Sequence, residues 1–330
     1  VASPPDRPRV LAWLSPSDPS AALPGALDAV RELERAGLDL LVLEQVPGTA
    51  RLDPVPALTA FAHATSRIGL VAGIPVADLP PFLLARALGA LDLVSGGRSG
   101  WLVEETRPAL DVRDDTGRWQ RAADAPGPEW ADAVAEHVDT ACLLWGSWEP
   151  DAVVIDRESG VFVDHAKVHP VDARGRFFSS RGPLNTPPPP QGRPVLLGTC
   201  AADGGPGAAV DVVVVRAADP TSAAVLVDRC RRDGPALVLV AVAPAVGGTP
   251  NPAPAGDAVG ICGDAATVAA ELSRLVAMTG ADGLVLCGAL DVRTVAGTAS
   301  AVTAHWTPAP PGPAHLRDRL LAVESAGAPS

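Results

Sequence analysis

At 330 residues, with 47% hydrophobic and 19% charged side chains, the chain can build a sizeable packed core and is too apolar to remain unfolded. A formal net charge of −12 argues against nucleic acid or an anionic lipid surface as a partner, since both would be repelled. The cysteines, Cys142, Cys200, Cys230, Cys262 and Cys287, are odd in number and form no CxxC pair, which argues against a disulfide framework or zinc site and fits reduced thiols in a cytoplasmic protein.

In chain order, short β-like runs alternate with helical patterns. VLAWL (10–14) is a strand, and ALDAVRELERAG (26–37) sets Leu27, Val30 and Leu33 at helical spacing before Gly37 stops it. LDLLVLEQ (38–45) is a buried strand. Asp53 as cap and Pro54 at the first helical position open the helix at 53–65. RIGLVAGIPV (67–76) is the third strand, 79–97 a helix closed by glycine, GWLVEE (100–105) the fourth strand, and 128–148 a long amphipathic helix.

Residues 149–193 lack a helical period and carry turns and a PPPP run, the composition of an insertion after helix four, reaching the rim or running down the side. Alternation resumes with PVLLGTC (194–200), VDVVVVRA (211–218), a helix at 219–233, PALVLVAVAPAV (235–246), a helix at 264–280 capped by Asp264, ADGLVLCGAL (281–290) and a final helix at 292–306. No apolar run reaches the roughly 18 residues of a membrane span, and the first residues, VASPPDRPRV, lack the order of a signal peptide.

Eight βα-type units with continuous Val/Leu strands predict a single (β/α)8 TIM barrel over 1–330, with 149–193 as an insertion within it; an open doubly wound sheet is the alternative. Function in a barrel gathers at the C-terminal strand ends, here Gln45, Ile74–Pro75, Glu104–Glu105, Thr199–Cys200, Arg216, Pro244 and Cys287. Alternation sends one of Glu104 and Glu105 inward and the other toward the helices. With Gln45 they are the candidate catalytic groups, as general acid/base or as ligands of a cationic substrate; the plain reading is an ion pair with Arg98 or Arg216. His165 and His169 match no metal-ligand spacing and read as turn residues, and no metal is expected. Cys200 is a nucleophile only if a base or cation adjoins it.

Three stretches, ATSRIGLVAGIPVADLPPFLLARALGALDLVSGGRSGW (64–101), LLWGSWEPDAVVIDRESGVFVDHAKVHPVDARGRFFSSRGPLNTPPPPQGRPVLL (143–197) and GADGLVL (280–286), closely resemble the bacterial-luciferase-like flavin monooxygenases, in the nitrilotriacetate and dibenzothiophene-sulfone branch. The resemblance implies a barrel binding reduced FMN at its strand ends, a separate flavin reductase, O2 as oxidant and a small organic substrate, with the flavin carrying the chemistry.

It also identifies where flavin contacts would fall, at Leu102, Gly198, Thr199 and Ala202; Trp101 and the strand-end residues Arg216 and Cys200 are candidates for the substrate pocket. The identities depart from the family. Leu102 stands for Asn, Glu104–Glu105 for hydroxyl residues, Glu44–Gln45 for Ala-Asp, and Ala202 for the phosphate-binding Ser, while Asp203 to Gly207 make poor helix. Two alternatives to the monooxygenase therefore remain: a flavin-free enzyme performing acid/base rearrangement or cyclisation, and a non-catalytic companion of an active paralogue. A homodimer is also compatible.

Overall fold

Strands made of Val, Leu and Ala on both faces must be covered on both faces, and closing them into a ring does so with no exposed edge. The computed structural model describes residues 8–16, 23–44, 53–105, 111–113, 119–121, 128–234, 237–247, 258–287, 292–306 and 315–321. The elements run β1 (Val10–Pro16), α1 (Leu23–Arg35), β2 (Leu40–Glu44), α2 (Pro54–Ala64), β3 (Gly69–Pro75), α3 (Pro81–Ser95), β4 (Ser99–Glu104), β5 (Asp111–Arg113), β6 (Trp119–Arg121) and α4 (Pro128–Trp145). Then come β7 (Ala173–Arg174), β8 (Ser179–Ser180), β9 (Val195–Cys200), β10 (Val212–Val215), α5 (Pro220–Asp233), β11 (Leu237–Val246), β12 (Val259–Gly263), α6 (Ala265–Thr279), β13 (Gly283–Leu286), α7 (Val292–Thr303) and α8 (Leu316–Leu321).

The parallel ring is β1-β2-β3-β4-β9-β10-β11-β13, closed where β13 pairs with β1. This closed (β/α)8 barrel excludes the open sheet. Side chains alternate between two cores. Ala12, Val42, Val71, Leu102, Leu197, Val214 and Val285 fill the lumen, while Trp13, Leu41, Leu70, Trp101 and Val213 pack outward against the helices. Asp53, Asp219 and Asp264 cap α2, α5 and α6 by accepting backbone N–H groups. Among the described residues no helix is long and apolar enough to cross a membrane.

Three features were not expected from the sequence. Glycine-bearing β12 adds to the outer half of β11, β5 pairs with β6, and α8 plugs the floor of the barrel with Leu316 and Leu320. Gly69 makes that plug possible, since a Cβ there would lie 2.6 Å from Leu40 Cδ2 and 2.7 Å from Leu316 Cδ2.

The residues that carry the family resemblance hold this floor and the flank. Arg98 donates to the carbonyls of Ala62, Thr65, Ile68 and Ser95. It therefore stands at the start of β4, about 20 Å along the chain from the strand end, and the expected pairing with Glu104 or Glu105 is corrected. Buried Asp92 accepts from Ser99 N and Oγ and from Gln191 N and Nε2, and Gln191 Oε1 accepts from Arg317 N of α8. The insertion runs down the flank: the Trp148 indole donates to Leu184 O, and Glu136 of α4 accepts from the amides of Arg176, Phe177 and Phe178.

Candidate functional site

The uppermost inward layer is set by strand parity. Leu40 and Val42 face the lumen, so Glu44 does too; Leu102 is followed by Glu104, Val214 by Arg216, and Leu197 by Thr199. Arg216 Nη2 lies 2.8 Å from Glu44 Oε1, with both side chains about three-quarters buried. β2 and β10 are four places apart in a ring of eight, so this ion pair spans the mouth along a diameter. Glu104 shares the layer: a Cβ on Gly73 would strike Glu104 Oε1 and would lie 3.0 Å from Glu44 Cα. The missing side chain at Gly73 is what lets two carboxylates flank β3. Arg216 thus meets the plain expectation of an ion pair, but with Glu44, which strand parity could have singled out in place of Gln45. Gln45 lies outside the described residues.

Glu105 turns outward, as alternation requires. Its Oε1 accepts from Gly207 N at 2.6 Å, and its carbonyl accepts from Trp130 Nε1 at 3.0 Å. Burial raises the Glu105 carboxyl above its ordinary pKa, and the Gly207 amide pulls it partly back. Trp101 and Cys200, expected in the pocket, face the helix layer instead. The Trp101 indole donates to Ile74 O and packs against His137. Cys200 Sγ accepts from Arg229 Nη2 of α5 at 3.0 Å. An inward residue at Leu102 necessarily puts Trp101 outside, and the same parity separates Thr199 from Cys200.

His137 on α4 is buried. Nε2–H donates to Leu79 O at 2.9 Å, and the ring meets Phe178 edge-on with centroids 5.0 Å apart. Burial lowers its pKa to about 4 against the opposing effect of the Leu79 carbonyl, so the imidazole is neutral packing. His169 Nε2 lies 2.8 Å from exposed Glu149, and Asp164 caps the short turn holding His165. Among the described residues no group of three or more His, Cys, Asp or Glu is placed to hold a metal.

Reduced FMN is the group implied for these strand ends, and the turn after β9 tests the fit. Ala201 and Gly204 exchange backbone hydrogen bonds of 2.8 and 3.2 Å. Arg229 donates to the Ala201 and Gly204 carbonyls, and Gly207 N is taken by Glu105. Pro206 has no amide to offer and packs over Gly198, 2.7 Å from where its Cβ would stand. Residues 201–211 contain no helix. A phosphate site at a helix start needs free amides with a dipole behind them; here three amides are spent, the helix is absent and Glu105 and Asp203 bring negative charge. The residues do not fit the group.

Residues 11–255 match the family described as luciferase-like monooxygenase. The chain is 35% identical over 209 residues to N-acetyl-S-(2-succino)cysteine monooxygenase of Bacillus subtilis (57% of this chain, 44% of that one) and 37% identical over 150 residues to dibenzothiophene-sulfone monooxygenase of Rhodococcus erythropolis (46% and 32%). It thus spans less than half the length of these relatives. Two different subunits of the pristinamycin IIA synthase of Streptomyces pristinaespiralis match as well. One is 32% identical over 252 residues, covering 73% of this chain and 82% of its own. The other is 28% identical over 155 residues, 45% of this chain and 30% of its own. In fold, long-chain alkane monooxygenase superposes with a TM-score of 0.80 at 17% identity, over 98% of this chain and 97% of that one.

Proposed function

Since the chain belongs to the luciferase-like monooxygenase family, we propose that it takes part in the monooxygenation of a small organic molecule, in a system where a separate reductase supplies reduced FMN. The observation that carries this reading is the convergence of Glu44, Glu104 and Arg216 in one partly open layer at the barrel's C-terminal mouth, where barrels of this kind work. Two carboxylates and a guanidinium there can orient a polar substrate group by charge-assisted hydrogen bonds. No oxidative step is assigned to these residues, because oxidation belongs to the flavin.

A second reading is favoured by Glu104 alone, an inward, half-buried carboxylate beside Glu44: acid–base rearrangement without flavin. One experiment separates the two. Deleting the gene in its source strain and growing it under 18O2 should remove a labelled metabolite and accumulate a compound lacking that one oxygen atom. Loss of an unlabelled compound with accumulation of its isomer selects the rearrangement. If labelled metabolites are unchanged, the monooxygenase reading fails.

A further inference from the structure

We infer that this chain carries no flavin of its own and works beside a second barrel of the same family that does. The inference rests on the monooxygenase reading and deepens it by assigning where the cofactor sits.

Two parts of the structure lead independently to the first half. The turn after β9 is closed on itself. Its Ala201, Gly204 and Gly207 amides are each engaged within the chain, and Arg229, a cation in reach of that turn, is directed at protein carbonyls. A phosphate dianion bound there would lie near the Glu105 and Asp203 carboxylates, with the Gly207 amide already held by Glu105 and no helix dipole in compensation. The mouth is barred to a flavin ring by different residues. The Glu44–Arg216 bar crosses the lumen from β2 to β10, and Glu104 stands in the same layer. A flavin ring seated there would have to displace the Glu44–Arg216 ion pair and lie against the Glu104 carboxylate. Either change alone weakens binding, and the two together remove both ends of the ligand's cradle.

The second half follows from the company the sequence keeps. Two unlike subunits of one synthase match this chain, which covers 82% of the first and 30% of the second. A family member without a cradle still has a place in such a reaction as the companion of one that has it.

The test begins with the purified chain, its fold checked by circular dichroism, titrated with FMN in air and with FMNH2 under anaerobic conditions. No saturable change in flavin fluorescence or heat is expected up to high micromolar concentration, and stopped-flow oxidation of FMNH2 by O2 should proceed at its free rate. One-to-one binding of either form, or an altered oxidation rate, overturns the inference while leaving the monooxygenase reading intact. The chain is then mixed with each flavin-binding luciferase-like barrel encoded in the same genome. Sedimentation of one of them as a mixed complex, with its oxygenation of substrate increased, is the expected result. Failure to associate with any of them overturns the assignment of the flavin to a companion barrel. The 18O2 experiment above fails or succeeds separately from both.

Discussion

His137 is the residue whose acid–base chemistry burial changes most clearly. A histidine at one position of an amphipathic helix is expected to be surface or packing, and packing it is, sealed between Trp101, Phe178 and the Leu79 carbonyl. Its folded pKa is about 4 against an ordinary 6.5. As pH falls below 6.5 the unfolded chain takes the proton and the folded chain does not. Stability is therefore lost progressively as pH drops from 6.5 toward 4, by roughly 3 kcal/mol in all. Thermal melts from pH 7 to pH 4 should show this slope in the wild type and a flatter one in His137→Gln, whose amide can still donate to Leu79; identical slopes would refute the assignment. Strand parity could have told which strand-end residues face the lumen, yet the sequence reading puts Trp101 and Cys200 in the pocket and names Gln45 in place of Glu44. Who pairs with whom was not legible: Glu44 finds Arg216 from the opposite strand, 172 positions later, and Gly207 finds Glu105.

Among the elements, α8 carries the clearest consequence. It is six residues long, too short for a helical period to register, yet Leu316 and Leu320 lie one turn apart and close the barrel floor. Leu316→Ala should cost about 2–5 kcal/mol in urea denaturation, because a cavity opens between the plug and Gly69; a loss indistinguishable from zero would mean that the floor is sealed by something else. The helices and barrel strands were readable because their signals are local: Asp caps, Pro at the first helical position, glycine stops, and unbroken Val/Leu runs. β12 was not, because Gly260 and Gly263 weaken its β pattern and its strand state comes from pairing with the outer half of β11. The motifs SGGRSG, GRFF and PQGRP now have a physical account. Arg98 gathers carbonyls at the floor, Glu136 binds the amides beside a glycine whose Cβ would clash with it, and Gln191 ties insertion, β4 and α8 together.

For the whole molecule these ties make a mechanical prediction. The insertion is fastened to the barrel at Glu136, Trp148 and Gln191, and its own regular structure is limited to the two-residue strands β7 and β8, a three-residue 3-10 turn at His165–Lys167 and a Val153–Val163 bridge, so it should not melt independently. Scanning calorimetry is expected to show one transition; a separate low-temperature transition removed by excising 149–193 would count against it. The sequence by itself determined the barrel and its family, because both rest on patterns that repeat along the chain: apolar strands, amphipathic helices, and motifs whose job is to hold the floor and flank. Only the tertiary structure decided the state of the mouth. Closing the ring brings β2 opposite β10 and lays Glu105 on the turn after β9, and contacts between residues a hundred or more positions apart leave no periodic trace in the sequence.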